Sequence, residues 1–297
     1  AAPYGDGYGA RPRARPREVV GRAARGAWTS NSPTDSHPME EQPPIIDTHQ
    51  HLWDLGELTL SWASSVPTLN KTFSPTDYAE ATAGLGVVTT VYAEVEADAE
   101  CKAKEVELIS RLCDDPAVPT AAIIGSADPS VPLPAWVSQN AHVRAIRWGI
   151  HFQPAGTCLK PEFIAGVKAL GEMGKAFEVC IRPAELADAA TLAAAVPGTT
   201  IVIDHCGNAD PSVVAGDDPG QPPVPQPQTE DSTYHTWHTK DGWEAAMRAI
   251  AALPNTVCKL SGIMSRLKPA SSPADSLGPT INFLHGCVWG GPLHVWR

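Results

Sequence analysis

Short apolar runs alternate with amphipathic segments from Pro43 onward, and this alternation restricts the fold more than any other feature of the chain. The runs predict strands at 45–48, 87–94, 120–125, 145–150, 177–181, 200–204 and 256–260. The amphipathic segments predict helices at 75–85, 99–113, 161–173, 184–195 and 242–253. Repeated strand–helix units of this kind predict an α/β fold with a parallel sheet.

The ends of the predicted strands favour a (β/α)8 TIM barrel over an open sheet. Most of the runs end in a polar or charged residue, as in barrels that carry their chemistry at the carboxyl ends of the strands. The 297 residues exceed the roughly 250 that such barrels commonly need. No G-x-G-x-x-G follows the first run, which disfavours a dinucleotide-binding sheet.

The first run delivers two histidines to one place. Ile45 and Ile46 open a short strand, and because side chains alternate along a strand, Asp47, His49 and His51 are predicted to share a face. Two imidazoles on one face can hold a metal or a substrate oxyanion. The alternative is an ordinary strand end with histidines there by chance.

Acidic, basic and imidazole groups also follow the other predicted strands. They are Glu94 and Glu96, Arg147 and His151, Arg182, Asp204 and His205, and Lys259 and Ser261. The carboxyl ends of barrel strands meet at one rim, so these residues predict a ring of acid–base and cationic groups. Structural alternatives exist for single members: Glu94 could pair with Arg147, Arg182 could cap the sheet, and Lys259 could be solvated.

Three motifs carry a resemblance to a known family. They are Ile-Ile-Asp-Thr-His-Gln-His-Leu-Trp at 45–53, Ile-Asp-His-Cys-Gly-Asn at 203–208 and Val-Cys-Lys-Leu-Ser-Gly at 257–262. Over residues 44 to 296 the chain resembles the amidohydrolase-related (amidohydrolase 2) barrels, nearest to the branch of sugar-lactone and 2-pyrone-4,6-dicarboxylate lactonases.

The resemblance implies roles for the rim. His49, His51 and His205 would be catalytic, either as ligands of one divalent metal such as Zn or as groups that polarise the substrate carbonyl directly. A small-molecule substrate would be bound by the remaining rim residues, which are Glu94, Arg147, His151, Arg182, Lys259 and Ser261. No organic cofactor is expected.

Two departures from the family pattern affect these expectations. The fifth strand ends Glu-Val-Cys-Ile-Arg and lacks the His or Lys of strongly metal-dependent relatives, which predicts a weak metal site or none. The chain also stops before the family's strand-eight Asp, so the eighth strand is expected to be incomplete, with 293–296 as a minimal version.

The missing Asp predicts weaker catalysis, and the incomplete eighth strand predicts a barrel that is not fully closed. Loss of a base commonly lowers the rate by about 10² to 10⁴, unless His205, Glu94 or His294 replaces it. Open strand edges predict marginal stability and self-association.

Two segments lie outside the strand–helix pattern. Residues 1–43 are rich in Arg, Pro and Gly and are predicted to be a disordered extension, with a mitochondrial targeting segment as the alternative. Residues 207–238 form a Pro-rich insertion in the 44–297 barrel. This insertion is either a floppy connector or a lid that presents Tyr234, His235, Trp237 and His238.

Charge and cysteine usage limit the partners. A net charge of −11 and a pI near 5.3 argue against nucleic acid or an acidic membrane surface. No apolar run approaches the roughly 18 residues of a membrane span. The seven cysteines include no C-x-x-C pair, which predicts a reducing, cytoplasmic compartment. Oligomeric state is left open by the sequence.

The sequence therefore predicts a hydrolase that opens a small cyclic ester by carbonyl polarisation and attack of water. Within the same family, the alternative is a Zn-dependent decarboxylase or C–N hydrolase. A further alternative is a truncated barrel without catalytic activity.

Overall fold

Seven parallel strands form one sheet in sequential order. The computed structural model describes residues 44–220, 237–267 and 273–289. The strands are β1 (Ile45–Gln50), β2 (Val87–Ala93), β3 (Thr120–Ser126), β4 (Val143–Gly149), β5 (Ala176–Cys180), β6 (Ile201–Ile203) and β7 (Thr256–Cys258). Each strand pairs in parallel with the next in the chain. This is the order of a TIM-type barrel, and within the described residues β1 and β7 are its two edges.

Nine α-helices accompany the strands within the described residues. They are α1 (Pro75–Ala81), α2 (Lys102–Asp114), α3 (Ala135–Gln139), α4 (Pro161–Glu172), α5 (Leu186–Ala195), α6 (His205–Asn208), α7 (Pro211–Ala215), α8 (Lys240–Ala251) and α9 (Pro273–Trp289). Several begin as their sequence predicts. In α1, for example, Pro75 follows Ser74, which forms a reciprocal capping box with Asp77.

The main core lies between the sheet and its helices. Its fully buried members include Ile109 of α2, Phe163 and Leu170 of α4, and Leu192 of α5. A second, smaller cluster of Ala93, Ile124 and Ala145 lies on the other face of the sheet. Two of its three members are alanines.

The predicted strands and helices are confirmed, with shifted ends. The seventh strand ends at Cys258 instead of residue 260, and the first helix ends at Ala81 instead of residue 85. The helix predicted at 184–195 starts as a short 3-10 turn, Pro183–Glu185. Helices α3, α6, α7 and α9 were not predicted. The eighth strand at 293–296 and the extension 1–43 lie outside the described residues, as do residues 221–236 of the Pro-rich insertion.

None of the described helices combines the length and the apolar character needed to cross a bilayer.

Candidate active site

The first strand places His49 and His51 at its carboxyl end. The His49 ring packs edge-on against the His51 ring, with centroids 4.8 Å apart. Asp47 does not join them, although strict alternation predicts that it should. Its two carboxylate oxygens instead accept hydrogen bonds from Tyr78 Oη of α1 at 2.7 Å and from the His49 backbone N–H at 3.0 Å. The pairing of β1 with β2 is irregular between Asp47 and Gln50, so the period of two is broken just before the histidines.

His205 brings a third imidazole to this position from the end of β6. Its ring centroid lies 4.6 Å from that of His49. The backbone at His205 is left-handed, with φ 52°, and its Nδ1 lies 2.9 Å from Ser261 Oγ. Gly262 makes room for this ring, because a Cβ there would lie 2.5 Å from His205 Nδ1. The three predicted catalytic histidines therefore form one cluster.

A buried arginine joins two carboxylates beside the cluster. Arg147 of β4 donates from Nη1 to Glu94 Oε1 at 2.7 Å and from Nε to Asp204 Oδ2 at 2.9 Å. Both carboxylate side chains are fully inaccessible to solvent. The structural alternative raised for Glu94, a buried pair with Arg147, is what the structure contains. Glu94 also accepts from the Glu96 backbone N–H at 2.8 Å.

Lys259 lies at the centre of a second charged group. Its Nζ is 2.6 Å from Glu178 Oε1 of β5, 3.5 Å from Asp204 Oδ1 and 3.1 Å from His49 Nδ1. Only 11% of the Lys259 side chain is exposed, so it is not the solvated lysine of the structural alternative. Because side chains alternate along β5, Glu178 shares the inner face with Ala176.

Glu178 was absent from the predicted site residues. The signal was present in the sequence, since Glu178 is a charged residue inside an apolar strand. A buried charge of this kind requires a partner.

The electrostatics of the cluster favour neutral imidazoles and an ionised Asp204. Burial lowers the pKa of His205 to about 4 and takes that of His49 far below its usual range. Burial alone would raise the pKa of Asp204, but Arg147 and Lys259 outweigh it and hold that pKa well below the ordinary value. Burial and the charge of Asp204 raise the pKa of Glu178 to about 8. At pH 7 the site therefore contains neutral His49 and His205 beside a carboxylate.

His151 and Arg182 form a neighbouring group after β4 and β5. His151 Nδ1 lies 3.1 Å from the Cys180 carbonyl oxygen, and burial lowers the His151 pKa to about 4. Arg182 forms a fork with Glu185 at 2.6 and 2.8 Å and donates to the carbonyls of His151 and Gln153. Arg182 thus holds the chain after β4 in place, which corresponds to the capping alternative.

The rim borders open space on the β1 side. A cavity of about 540 Å³ is lined by His51, Leu52, Phe73 and Tyr78 among others. Of the predicted lid residues, Tyr234 and His235 lie outside the described residues. His238 is buried, and its Nε2 lies 3.4 Å from the Asp210 backbone N–H.

A group of three residues has donor atoms of the kind that a divalent metal prefers. His49, Asp204 and His205 each offer a donor, all within 4.8 Å of one another. His49 Nε2 and Asp204 Oδ1 are buried without a hydrogen-bond partner among the described residues. This trio differs from the predicted ligand set, since Asp204 takes the place of His51. The Nδ1 of His51 faces the Ala93 carbonyl oxygen at 2.9 Å.

The position of Lys259 does not fit a tightly held metal in this group. Tetrahedral zinc, with bonds of about 2.0 to 2.1 Å, needs donors about 3.4 Å apart. The Lys259 ammonium lies 3.1 Å from His49 Nδ1 and 3.5 Å from Asp204 Oδ1. A cation this close repels a second cation at the same donors. The donor types suit a metal, but the arrangement opposes one.

Comparison with protein families gives one match over most of the chain. The family model described as Amidohydrolase matches residues 46–284. Among curated proteins, the L-fucono-1,5-lactonase of Burkholderia ambifaria is 25% identical over 230 residues, which cover 75% of this chain and 69% of the relative. The predicted resemblance to the lactonase branch is thereby confirmed.

Two solved structures share the fold. An amidohydrolase from Burkholderia multivorans with bound zinc has a TM-score of 0.63 at 19% identity, covering 85% of this chain and 83% of its own. A putative 2-pyrone-4,6-dicarboxylic acid hydrolase from Pseudomonas putida has a TM-score of 0.57 at 21% identity, covering 84% and 80%. Both support the barrel-type fold of the seven described strands.

Proposed function

Because the chain belongs to the amidohydrolase family, we propose that it is a hydrolase that opens a small cyclic ester, a lactone. The observation that carries the proposal is the cluster of His49, His51 and His205, with ring centroids 4.6 and 4.8 Å from His49, beside the buried Arg147–Asp204 pair. The similarity to an L-fucono-1,5-lactonase supports the choice of substrate class.

The chemistry of lactone opening suits neutral histidines. Attack of water on the carbonyl places negative charge on its oxygen, and fixed N–H donors stabilise that charge. An imidazole whose pKa is lowered stays neutral at pH 7 and donates through its N–H group. His49, whose pKa burial takes far below its usual range, meets this condition.

Water must also lose a proton during the attack. His205 and Glu94 are the described candidates for accepting it. Glu94 is already engaged by Arg147 at 2.7 Å and by the Glu96 N–H at 2.8 Å, so we assign the role to His205. Ser261, 2.9 Å from His205 Nδ1, orients the ring for this role.

Substrate binding is assigned to the remainder of the rim. Arg147 and Arg182 both donate to internal acceptors. They therefore position the rim first, and a substrate carboxylate or hydroxyl competes for them. The cavity of about 540 Å³ beside His51 is within the usual size of a small-molecule site.

A Zn-dependent decarboxylase or C–N hydrolase is the weaker candidate. It requires a metal at the histidines, where Lys259 Nζ already lies 3.1 Å from His49 Nδ1. Because the Burkholderia multivorans structure contains zinc, the assay below also tests this candidate.

Proton release by the purified chain tests the proposal. Sugar lactones and pyrone carboxylates would be assayed with and without chelator and added Zn, with CO2 recorded in parallel. We expect proton release without CO2, lost in His205→Asn and retained in His142→Asn, whose imidazole pairs with Asp114 at 3.0 Å away from the cluster. Silence of the folded wild-type chain across the panel contradicts the proposal, and CO2 release supports the decarboxylase.

A further inference from the structure

We infer that Lys259 fixes His49 as the tautomer that carries its proton on Nε2, so that His49 acts as a hydrogen-bond donor and the cluster disfavours a metal ion. The inference goes beyond the proposed lactonase activity, and it holds whatever the substrate is. It makes Lys259 a positioning residue and not only a substrate-binding one.

An ammonium group has three N–H donors and no acceptor. Lys259 Nζ lies 3.1 Å from His49 Nδ1, so Nδ1 must be the acceptor in this contact. A neutral imidazole with a lone pair on Nδ1 has its proton on Nε2. The contact therefore selects one of the two neutral tautomers.

Lys259 is held firmly enough to impose this choice. Its Nζ is also 2.6 Å from Glu178 Oε1 and 3.5 Å from Asp204 Oδ1. These contacts with Glu178 and Asp204 hold Nζ between β5, β6 and the end of β7. With 11% of its side chain exposed, Lys259 has little room to move away from His49.

His51 provides the contrast within the same strand end. Its Nδ1 lies 2.9 Å from the Ala93 carbonyl oxygen, which can only accept. His51 therefore has its proton on Nδ1 and a lone pair on Nε2. A metal-bound histidine usually donates the N–H of its other ring nitrogen to such an acceptor. His49 has the opposite kind of partner.

The buried Nε2 of His49 determines whether the cluster prefers an oxygen ligand or a metal ion. This atom has no hydrogen-bond partner among the described residues. As an N–H group it is left unsatisfied until an acceptor such as a carbonyl oxygen or an oxyanion arrives. A metal, in contrast, would require the His49 proton to move and would lie close to the Lys259 ammonium. The same contact thus favours an oxygen ligand and opposes a cation.

Nitrogen-15 NMR of the histidine side chains tests the tautomer directly, in the full chain at neutral pH. The His49 signals would be assigned by their loss in His49→Gln. We expect wild-type His49 to show a protonated Nε2 and an unprotonated Nδ1, while His51 shows the reverse. A protonated Nδ1 on wild-type His49 overturns the inference. This measurement needs no substrate and no Lys259 variant.

Titration with Zn²⁺ and Co²⁺ tests the second part of the inference, that Lys259 disfavours a metal ion in the cluster. Lys259→Met should bind either ion more tightly by about 10- to 100-fold, the range over which outer-shell partners change metal affinity. Its His49 tautomer should no longer be fixed with the proton on Nε2. Lys259→Arg retains donors and charge and should stay close to wild type.

The control is Lys168→Met, on the exposed face of α4, which should leave both readouts unchanged. Equal metal affinity in wild type and folded Lys259→Met overturns the claim that Lys259 opposes metal. If lactone hydrolysis fails in the assay above but the tautomer is as expected, the proposed substrate class is wrong and the inference about Lys259 stands.

Discussion

Arg147 Nε donates to Asp204 Oδ2 at 2.9 Å, so a buried ion pair joins β4 to the end of β6 across the intervening β5. This pair holds Asp204 in the cluster. Its other carboxylate oxygen, Oδ1, lies 3.9 Å from His49 Nδ1 and 3.5 Å from Lys259 Nζ. The pair connects the charge network of the sheet with the histidine cluster.

Arg147→Met should destabilise the fold strongly. The change leaves Glu94 and Asp204 buried without their shared cation, and breaking a buried pair on one side costs about 3 to 5 kcal/mol. Urea unfolding followed by circular dichroism measures the loss. The matched control is Arg248→Met, where an exposed arginine pairs with Glu244 at 3.6 Å and the expected cost is below about 1 kcal/mol. Equal effects of the two variants would contradict the central role of Arg147.

His151 should make the folded state sensitive to acid. Burial lowers its pKa to about 4, against 6.5 in the unfolded chain. Between these values the unfolded chain binds more protons at this residue than the folded chain, so the free energy of unfolding falls as pH falls. The full effect of one such histidine is about 3 kcal/mol.

The comparison of wild type with His151→Gln isolates this contribution. Urea unfolding at several pH values from 4 to 6.5 should give a smaller pH dependence in the variant than in wild type. Parallel slopes for wild type and His151→Gln would mean that His151 is not held neutral by the fold.

Gly262→Ala should displace His205. Gly262 has φ 72°, and an added Cβ would lie 2.5 Å from His205 Nδ1 and within 2.8 Å of its Cβ. Relief requires movement of the ring away from Ser261, so hydrolysis should fall about 10²-fold, as for a misplaced catalytic group, with a stability loss of about 1 to 3 kcal/mol. Gly198→Ala is the control, because a Cβ there meets nothing within 4 Å. A Gly262→Ala enzyme with wild-type rates would show that the position of His205 is unimportant.

The sequence predicted the strands well because their apolar runs are short and alternate with longer helical patterns, as in repeated strand–helix units. It also predicted the cluster of His49, His51 and His205, since strand ends of a barrel meet at one rim. It failed for Asp47, because the irregular pairing of β1 with β2 between Asp47 and Gln50 is set by the neighbouring strand and Tyr78 takes the carboxylate. The alternation of side chains along a single strand does not show where its pairing with the next strand is irregular.

The partners of the charged residues were the least predictable part of the site. Arg182 and Glu185 are three residues apart, so their pairing could have been predicted from the sequence. Glu178 and Lys259 are far apart in the chain, and only the completed sheet brings them to 2.6 Å. The contact of Lys259 with His49 also forms only in the folded sheet. The sequence therefore suggested only a generic substrate-binding lysine.

Glu105 of α2 supports the end of β2, beside Glu94, from behind the sheet. Its Oε1 accepts from Tyr92 Oη at 2.7 Å and from the Val95 backbone N–H at 2.9 Å, and these two residues flank Glu94. Glu105→Leu removes both acceptor contacts at a buried position, which should cost about 2 to 4 kcal/mol and loosen the end of β2.

Glu105→Gln separates the hydrogen bonds from the charge. The amide oxygen can still accept from Tyr92 and Val95, and burial already raises the pKa of Glu105 to about 7, so the charge contributes little. We expect the Gln variant to retain most of the stability and rate that the Leu variant loses, in unfolding and proton-release measurements. Glu107→Leu, on the exposed face of the same helix, serves as the control. If Gln and Leu at position 105 are equally damaging, the ionised carboxylate and not its two hydrogen bonds positions Glu94.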